Sequence, residues 1–154
     1  MKLIAHRGNL TGKQPDLENS PAFIDAAISK GYDVEIDLRT DDDQKIYLGH
    51  DSPDYLIDIS FLSERKNFLW IHCKDRQALD IALQYNLNCF WHTTDDYTLT
   101  NNGTVWAYPG KLPTSFKSVM VLPEIFWTFE EIKKFKMFGI CSDYVSYLDF
   151  SEKP

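Results

Sequence analysis

Long apolar runs, paired cysteine motifs and an excess of positive charge are all missing from this sequence of 154 residues. No apolar run approaches the roughly 18 residues that a membrane-spanning helix needs. The net charge of −7 argues against a nucleic-acid or anionic-membrane surface, because those partners require clustered Lys and Arg. Residues 1–8 contain no apolar segment long enough for a signal peptide. We therefore expect a cytoplasmic protein with no membrane span and no nucleic-acid partner, of undetermined oligomeric state.

Cysteine is scarce, and Cys73, Cys89 and Cys141 form no Cys-x-x-Cys motif. An odd number of cysteines within apolar segments is typical of core thiols in a reducing compartment, not of a disulfide or zinc framework. The chain is nevertheless long enough to bury one hydrophobic core without disulfides. Its 44% hydrophobic and 25% charged residues are ordinary for a soluble globular protein, and we expect residues 1–154 to form a single domain.

Short apolar segments alternate with amphipathic ones along the chain. Strands are predicted at 3–5, 33–39, 46–48, 68–74, 88–92, 104–108, 118–122 and 139–142, and helices at about 21–30, 59–65, 76–86 and 128–138. The turn-rich segment 93–103 should contain no full helix. This alternation implies crossover connections and a mostly parallel sheet. Polar residues follow the strands at the positions where an α/β barrel places its chemistry, namely His6, Asp37, His72, Lys74, His92, Glu124 and Asp143.

The segment Val34–Arg39 places two carboxylates on one face of an otherwise apolar strand. Successive strand side chains point to opposite faces, so Glu35 and Asp37 lie roughly 6.6 Å apart at about 3.3 Å rise per residue. One cation could bring the two carboxylates together. The simpler interpretation is a half-buried sheet with a solvated side, and the choice depends on the neighbouring motifs.

Four short motifs resemble those of the glycerophosphodiester phosphodiesterase family, part of the phosphatidylinositol phospholipase C-like superfamily. They are Ile4–Gly8, Glu18–Phe23, Gly31–Thr40 and His50–Asp51. Each motif alone is weak, but four in the family's order within the first 51 residues are specific. The resemblance thins after residue 74. Family members approach the ~250 residues of a complete barrel, so the resemblance implies a reduced or incomplete TIM-type (β/α) barrel with mostly parallel strands.

The resemblance implies a metal-dependent phosphodiester hydrolase that acts on a small glycerophosphodiester-like substrate. Its implied acid/base pair is His6 and His50, its substrate-binding residues are Arg7, Lys74 and Glu18, and its metal ligands are Glu35 and Asp37. The implied cofactor is one divalent cation, Mg²⁺, Ca²⁺ or Mn²⁺. These residue types suit the chemistry, because phosphodiester cleavage at neutral pH needs charge neutralisation, a base and an acid.

His72 marks a departure from the family, which has a Glu-x-Lys metal and phosphate motif on its third barrel strand. This chain has His72-Cys73-Lys74 there, so the lysine is retained and the glutamate is replaced. If His72 is the third ligand, a nitrogen donor favours Mn²⁺ or Zn²⁺ over Mg²⁺ or Ca²⁺. Alternatively, His72 only forms a hydrogen bond and Glu124 supplies the missing ligand. The sequence leaves both possibilities open.

A second functional class also fits the sequence: a non-catalytic or repurposed barrel that binds a phosphorylated small molecule. The replacement at His72 and the short chain favour it, whereas retention of both His6 and His50 favours the enzyme. His92 fits a structural histidine better than a substrate-binding one. The sequence does not identify the substrate alcohol, since specificity is expected from the segment 93–117.

Overall fold

The computed structural model describes residues 1–148, in which ten strands form one curled sheet. The strands are β1 Lys2–His6, β2 Asp33–Thr40, β3 Ile46–Leu48, β4 Tyr55–Ile57, β5 Leu69–Cys73, β6 Cys89–Trp91, β7 Tyr97–Leu99, β8 Val105–Ala107, β9 Ser118–Val121 and β10 Gly139–Ser142. The helices are α1 Pro21–Ser29, α2 Ile59–Arg65, α3 Arg76–Gln84 and α4 Phe129–Ile132, with 3-10 turns at Pro123–Ile125 and Val145–Tyr147.

Seven of the strands in residues 1–148 form a parallel series in the order β6-β5-β2-β1-β10-β9-β8. Strand β3 adds antiparallel to β2 and carries β4, while β7 adds antiparallel to β8. A complete TIM barrel has eight parallel strands, so the described sheet has one parallel strand fewer than a complete barrel. Side-chain and loop bonds bridge the gap, such as Asn101 N to the Cys89 carbonyl at 2.9 Å. The predicted fold class, an incomplete TIM-type barrel, is confirmed.

The two faces of the sheet bury different groups. The outward side chains of β2 pack with α1 and α3 in the largest apolar cluster, which contains Val34, Ile36 and Leu38. The inward face carries a second cluster around Trp70 and Phe90. Because strand side chains alternate, the residues between the outward ones face the barrel interior. This alternation directs all three carboxylates of β2 inward. Asp33 accepts from Trp70 Nε1 at 3.0 Å, and Glu35 and Asp37 lie nearer the C-terminal end of the strand.

Helix α4 is shorter than the predicted helix 128–138. Its start agrees with the prediction, since Thr128 and Glu131 form a reciprocal capping box. It ends at Ile132, after which the backbone bonds tighten to turns such as Phe135 N to the Ile132 carbonyl at 3.1 Å. Phe138 then donates its backbone N–H to the Ser118 carbonyl at 2.9 Å, where the chain enters β10. The pairing of β10 with its neighbours therefore overrides helical propensity here.

Helix caps tie the outer layer to the sheet. Asp75 caps α3 by accepting from Ala78 N, and its other oxygen accepts from Thr40 N at the end of β2, both at 2.8 Å. The same aspartate thus fixes where β2 ends and α3 begins, beside the polar end of the sheet. Across residues 1–148, no helix has the length and apolar character to cross a membrane. The three cysteines are buried free thiols.

Candidate active site

The C-terminal ends of the parallel strands surround a pocket of about 350 Å³. Its polar wall consists of His6, Arg7, Lys13, Glu35, His50, His72, His92 and Asp143, and its apolar wall consists of Trp106, Tyr108, Pro109, Val121, Leu122 and Ile125. Asp37 contacts Arg7 and His72 of the polar wall, and Lys74 contacts Asp37, so the predicted site residues come together in space.

Glu35 and Asp37 face the barrel interior as the alternation predicted, and both are buried. The β2–β5 ladder pairs Asp37 with His72. One ligand atom from each of these three residues lies within 4.8 Å of the other two. Burial and the charge of Asp37 raise the pKa of Glu35. Burial also raises the pKa of Asp37, but the net shift is downward, and the positive charge of Arg7 and the hydrogen bond from Asn19 contribute to it.

Asn19 holds Asp37 by hydrogen bonds to both its side chain and its backbone. Its amide nitrogen donates to Asp37 Oδ2, and its amide oxygen accepts from Asp37 N, both at 2.9 Å. The second carboxylate oxygen, Oδ1, is buried and has no hydrogen-bond partner in the described part of the chain. A buried, ionised oxygen without a donor is costly. A cation held by Glu35, Asp37 and His72 would satisfy it, so the residues present fit a divalent metal.

His6 is oriented by a residue from the opposite end of the chain. Its Nδ1 donates to Asp143 Oδ1 at 2.7 Å, and Asn9 donates to the same oxygen at 2.8 Å. The other ring nitrogen, Nε2, lies 3.9 Å from Glu35. Burial lowers the pKa of His6, but the hydrogen bond to Asp143 and the charge of Glu35 outweigh it, and the net shift is upward.

His50 follows the β3 strand and reaches the same pocket from a turn. Its Nδ1 contacts Asp51 Oδ1 at 2.8 Å, so Nε2 remains for a ligand. Arg39 holds the turn through the carbonyls of Gly49, at 3.0 Å, and His50. Burial lowers the pKa of His50, and the positive charges of Arg7 and Lys74 lower it further. The pKa values of the two histidines are therefore shifted in opposite directions.

Arg7 is the best-anchored cation of the pocket. Its Nη1 donates to Glu18 at 3.0 Å, its Nε lies 3.1 Å from Asp37, and its backbone N–H donates to Glu35 at 3.2 Å. The second oxygen of Glu18 accepts from Asn9 at 2.9 Å. Both oxygens of Glu18 are thus occupied by protein groups, and Glu18 orients Arg7.

The sequence placed His92, Glu124 and Asp143 at strand ends, with Glu124 as an alternative metal ligand and His92 as a structural histidine, and it gave Asp143 no further role. Glu124 accepts from Asp143 N at 2.9 Å and lines a neighbouring groove, away from the carboxylate pair. His92 lines the pocket, and its carbonyl oxygen lies 3.1 Å from His72 Nε2. No local pattern in the sequence predicted the contact between Asp143 and His6, or the contact between Asn9 and Asp143.

Two solved structures of glycerophosphodiester phosphodiesterases share this architecture. The protein from Agrobacterium tumefaciens gives a TM-score of 0.60 at 13% identity, over 96% of this chain and 98% of its own. The protein from Thermotoga maritima gives a TM-score of 0.55 at 16% identity, over 96% of each chain. The chain has the glycerophosphodiester phosphodiesterase fold. No protein-family model and no curated protein matches the sequence.

The resemblance that four motifs indicated in the first 51 residues is thereby confirmed at the level of fold. The structural likeness spans nearly the whole chain, whereas the recognisable motifs end near residue 74. At 13–16% identity the likeness establishes the fold alone. The function of the site therefore depends on its own residues and not on the fold.

Proposed function

We propose that the protein is a metal-dependent phosphodiester hydrolase that uses His6 and His50 as its acid/base pair. One observation carries the proposal: each imidazole has its Nδ1 engaged by an aspartate, and both rings line one pocket beside the buried carboxylate pair. In each case Nε2 is left to exchange a proton with a ligand. A base and an acid that converge on one pocket are what phosphodiester cleavage requires.

The phosphate would be held by Arg7 of the polar wall together with Lys74, which contacts Asp37. Arg7 is already fixed by Glu18, and Lys74 Nζ lies 3.7 Å from Asp37 Oδ1. A planar guanidinium and an ammonium together can bind the two non-bridging oxygens. A divalent cation held by Glu35, Asp37 and His72 would supply further neutralisation of phosphate charge.

The opposite pKa shifts of the two histidines suit separate roles. His50, with its lowered pKa, is neutral near pH 7 and can accept the proton of the attacking hydroxyl. His6, with its raised pKa, is the more readily protonated of the two and can give its proton to the leaving alkoxide. Activity should therefore fall at low pH as His50 is protonated and at high pH as His6 loses its proton, which gives a bell-shaped profile.

We propose a small glycerophosphodiester as the substrate. A pocket of about 350 Å³ suits a small molecule. The two solved structures compared above, which share this fold, are glycerophosphodiester phosphodiesterases. Tyr108 and Pro109, which belong to the segment 93–117 where specificity was expected, line this pocket, and the Tyr108 ring packs against His92 at 5.0 Å between centroids.

The test is turnover of bis(p-nitrophenyl) phosphate and of glycerophosphodiesters, with and without added divalent metal. His6→Ala and His50→Ala should each lose about 10²-fold or more, the usual size of an acid/base contribution. The control is His92→Gln, which removes another pocket histidine and should keep near-full turnover. Near-full turnover of His50→Ala would refute the acid/base pair. Binding of glycerol phosphate without turnover by the wild type would instead support the non-catalytic alternative.

A further inference from the structure

The ring of His72 has a fixed orientation and a fixed tautomer. Its Nε2 lies 3.1 Å from the carbonyl oxygen of His92. A carbonyl only accepts hydrogen bonds, so Nε2 must carry the proton of a neutral ring. The Phe90 ring stacks on the imidazole at 5.0 Å between centroids and 12° between planes. The second nitrogen, Nδ1, therefore carries a lone pair. The hydrogen bond at Nε2 and the stacking on Phe90 together fix the direction of that lone pair.

That lone pair faces another acceptor. Nδ1 of His72 lies 3.4 Å from Asp37 Oδ1, the buried oxygen that lacks a hydrogen-bond donor in residues 1–148. If His72 were an imidazolium, it would donate to Asp37, but charge-assisted N–H···O bonds measure about 2.7–2.9 Å. Two donor atoms on one ion, with bonds near 2.1 Å, lie roughly 3.0–3.4 Å apart at octahedral to tetrahedral angles. The observed separation matches shared coordination better than a hydrogen bond.

We infer that His72 Nδ1 is a metal ligand, and that the site is a mixed carboxylate–imidazole centre selective for borderline cations such as Mn²⁺ or Zn²⁺. The Nε2 contact with a backbone carbonyl is the usual means of orienting a ligating histidine. A neutral nitrogen in place of a carboxylate removes one negative charge from the ligand set. Mg²⁺ and Ca²⁺ prefer all-oxygen shells and therefore gain least from this site.

The structure also decides against the alternative third ligand. Glu124 is not part of the compact group that Glu35, Asp37 and His72 form, and it lines a different groove. Among the described residues, Glu35, Asp37 and His72 are the only histidine, cysteine or acidic side chains that form such a compact group.

Spectroscopy of the bound ion tests whether His72 is a metal ligand. Untagged protein is loaded with Mn²⁺, and electron spin-echo modulation is used to detect coupling to a directly bound ¹⁴N nucleus. We expect this coupling in the wild type and in the matched control His92→Gln, which keeps the backbone carbonyl that orients His72. We expect it to vanish in His72→Gln. Coupling that is absent from the wild type, or that persists in His72→Gln, would overturn the inference.

Calorimetric titrations test the selectivity. His72→Gln should bind Mn²⁺ and Zn²⁺ at least ~10²-fold more weakly, while His72→Glu should shift the preference toward Mg²⁺ and Ca²⁺. An unchanged order of affinities in His72→Glu would contradict the selectivity. The inference rests on the proposed function for the presence of a cation, but the two fail separately. A nitrogen-coupled Mn²⁺ site without turnover refutes the hydrolase alone, whereas turnover without coupling refutes the ligand alone.

Discussion

Gly49 controls the position of His50, and its replacement by alanine should show how strongly the site depends on that turn. The residue has φ +150°, a backbone conformation that side chains rarely adopt. A Cβ at this position would lie 2.0 Å from the backbone oxygen of Ser52 and 2.7 Å from Asp54 Oδ2. A backbone atom cannot be displaced without moving the loop, so Gly49→Ala must shift the segment that carries His50.

Two costs add in this variant. Backbone strain at such a φ is worth about 1–3 kcal/mol, and forced overpacking adds a further 1–3 kcal/mol or so. We expect the free energy of unfolding to fall by roughly 2–6 kcal/mol. The matched control is Gly31→Ala, because Gly31 also has positive φ, +89°, but an added Cβ meets nothing within 4 Å. That variant should cost only about 1–2 kcal/mol.

Three measurements separate the effects. Urea unfolding gives the two stabilities, turnover reports the position of His50, and cation titration reports the carboxylate pair. A displacement near 1 Å can cost about 10²-fold in rate, so turnover of Gly49→Ala should fall by that order while cation affinity changes little. Equal destabilisation by Gly49→Ala and Gly31→Ala would refute the reasoning, since the steric conflict exists only at Gly49.

Three further variants test other contacts of the site. Asp143→Asn keeps the acceptor oxygen but removes the charge that raises the pKa of His6, so the alkaline limb of the pH–rate profile should move to lower pH; an unmoved limb would contradict this role. Asp37→Ala should abolish cation binding and turnover together, and unchanged binding by calorimetry in the folded variant would exclude Asp37 as a ligand. Asn19→Ala leaves Asp37 without two buried hydrogen bonds and should lower the free energy of unfolding by about 1–3 kcal/mol in urea titrations.

Local patterns in the sequence were sufficient for the centre of the site. The alternation of Val34–Arg39 predicted that Glu35 and Asp37 share a face, and the structure shows both facing inward. Strand side chains have a period of two in any sheet, so this prediction needs no knowledge of neighbours. The helix predicted at 128–138 was too long for the converse reason. Helix propensity and charge pattern are local, whereas the bond from Phe138 to Ser118 joins segments that are distant in the sequence.

The sequence by itself thus determined the seven strands of the parallel series, which face of β2 carries the carboxylates, and the resemblance that pointed to a phosphodiesterase barrel. It did not predict the short antiparallel strands β4 and β7. Only the tertiary structure decided which partners those residues have. The contact between His6 and Asp143 joins residues 137 positions apart, and it exists because β10 closes beside β1. Likewise, the pairing of β5 with β2 brings His72, and not Glu124, to Asp37. Strand order is set by the packing of the whole barrel, and no short segment of the chain encodes it.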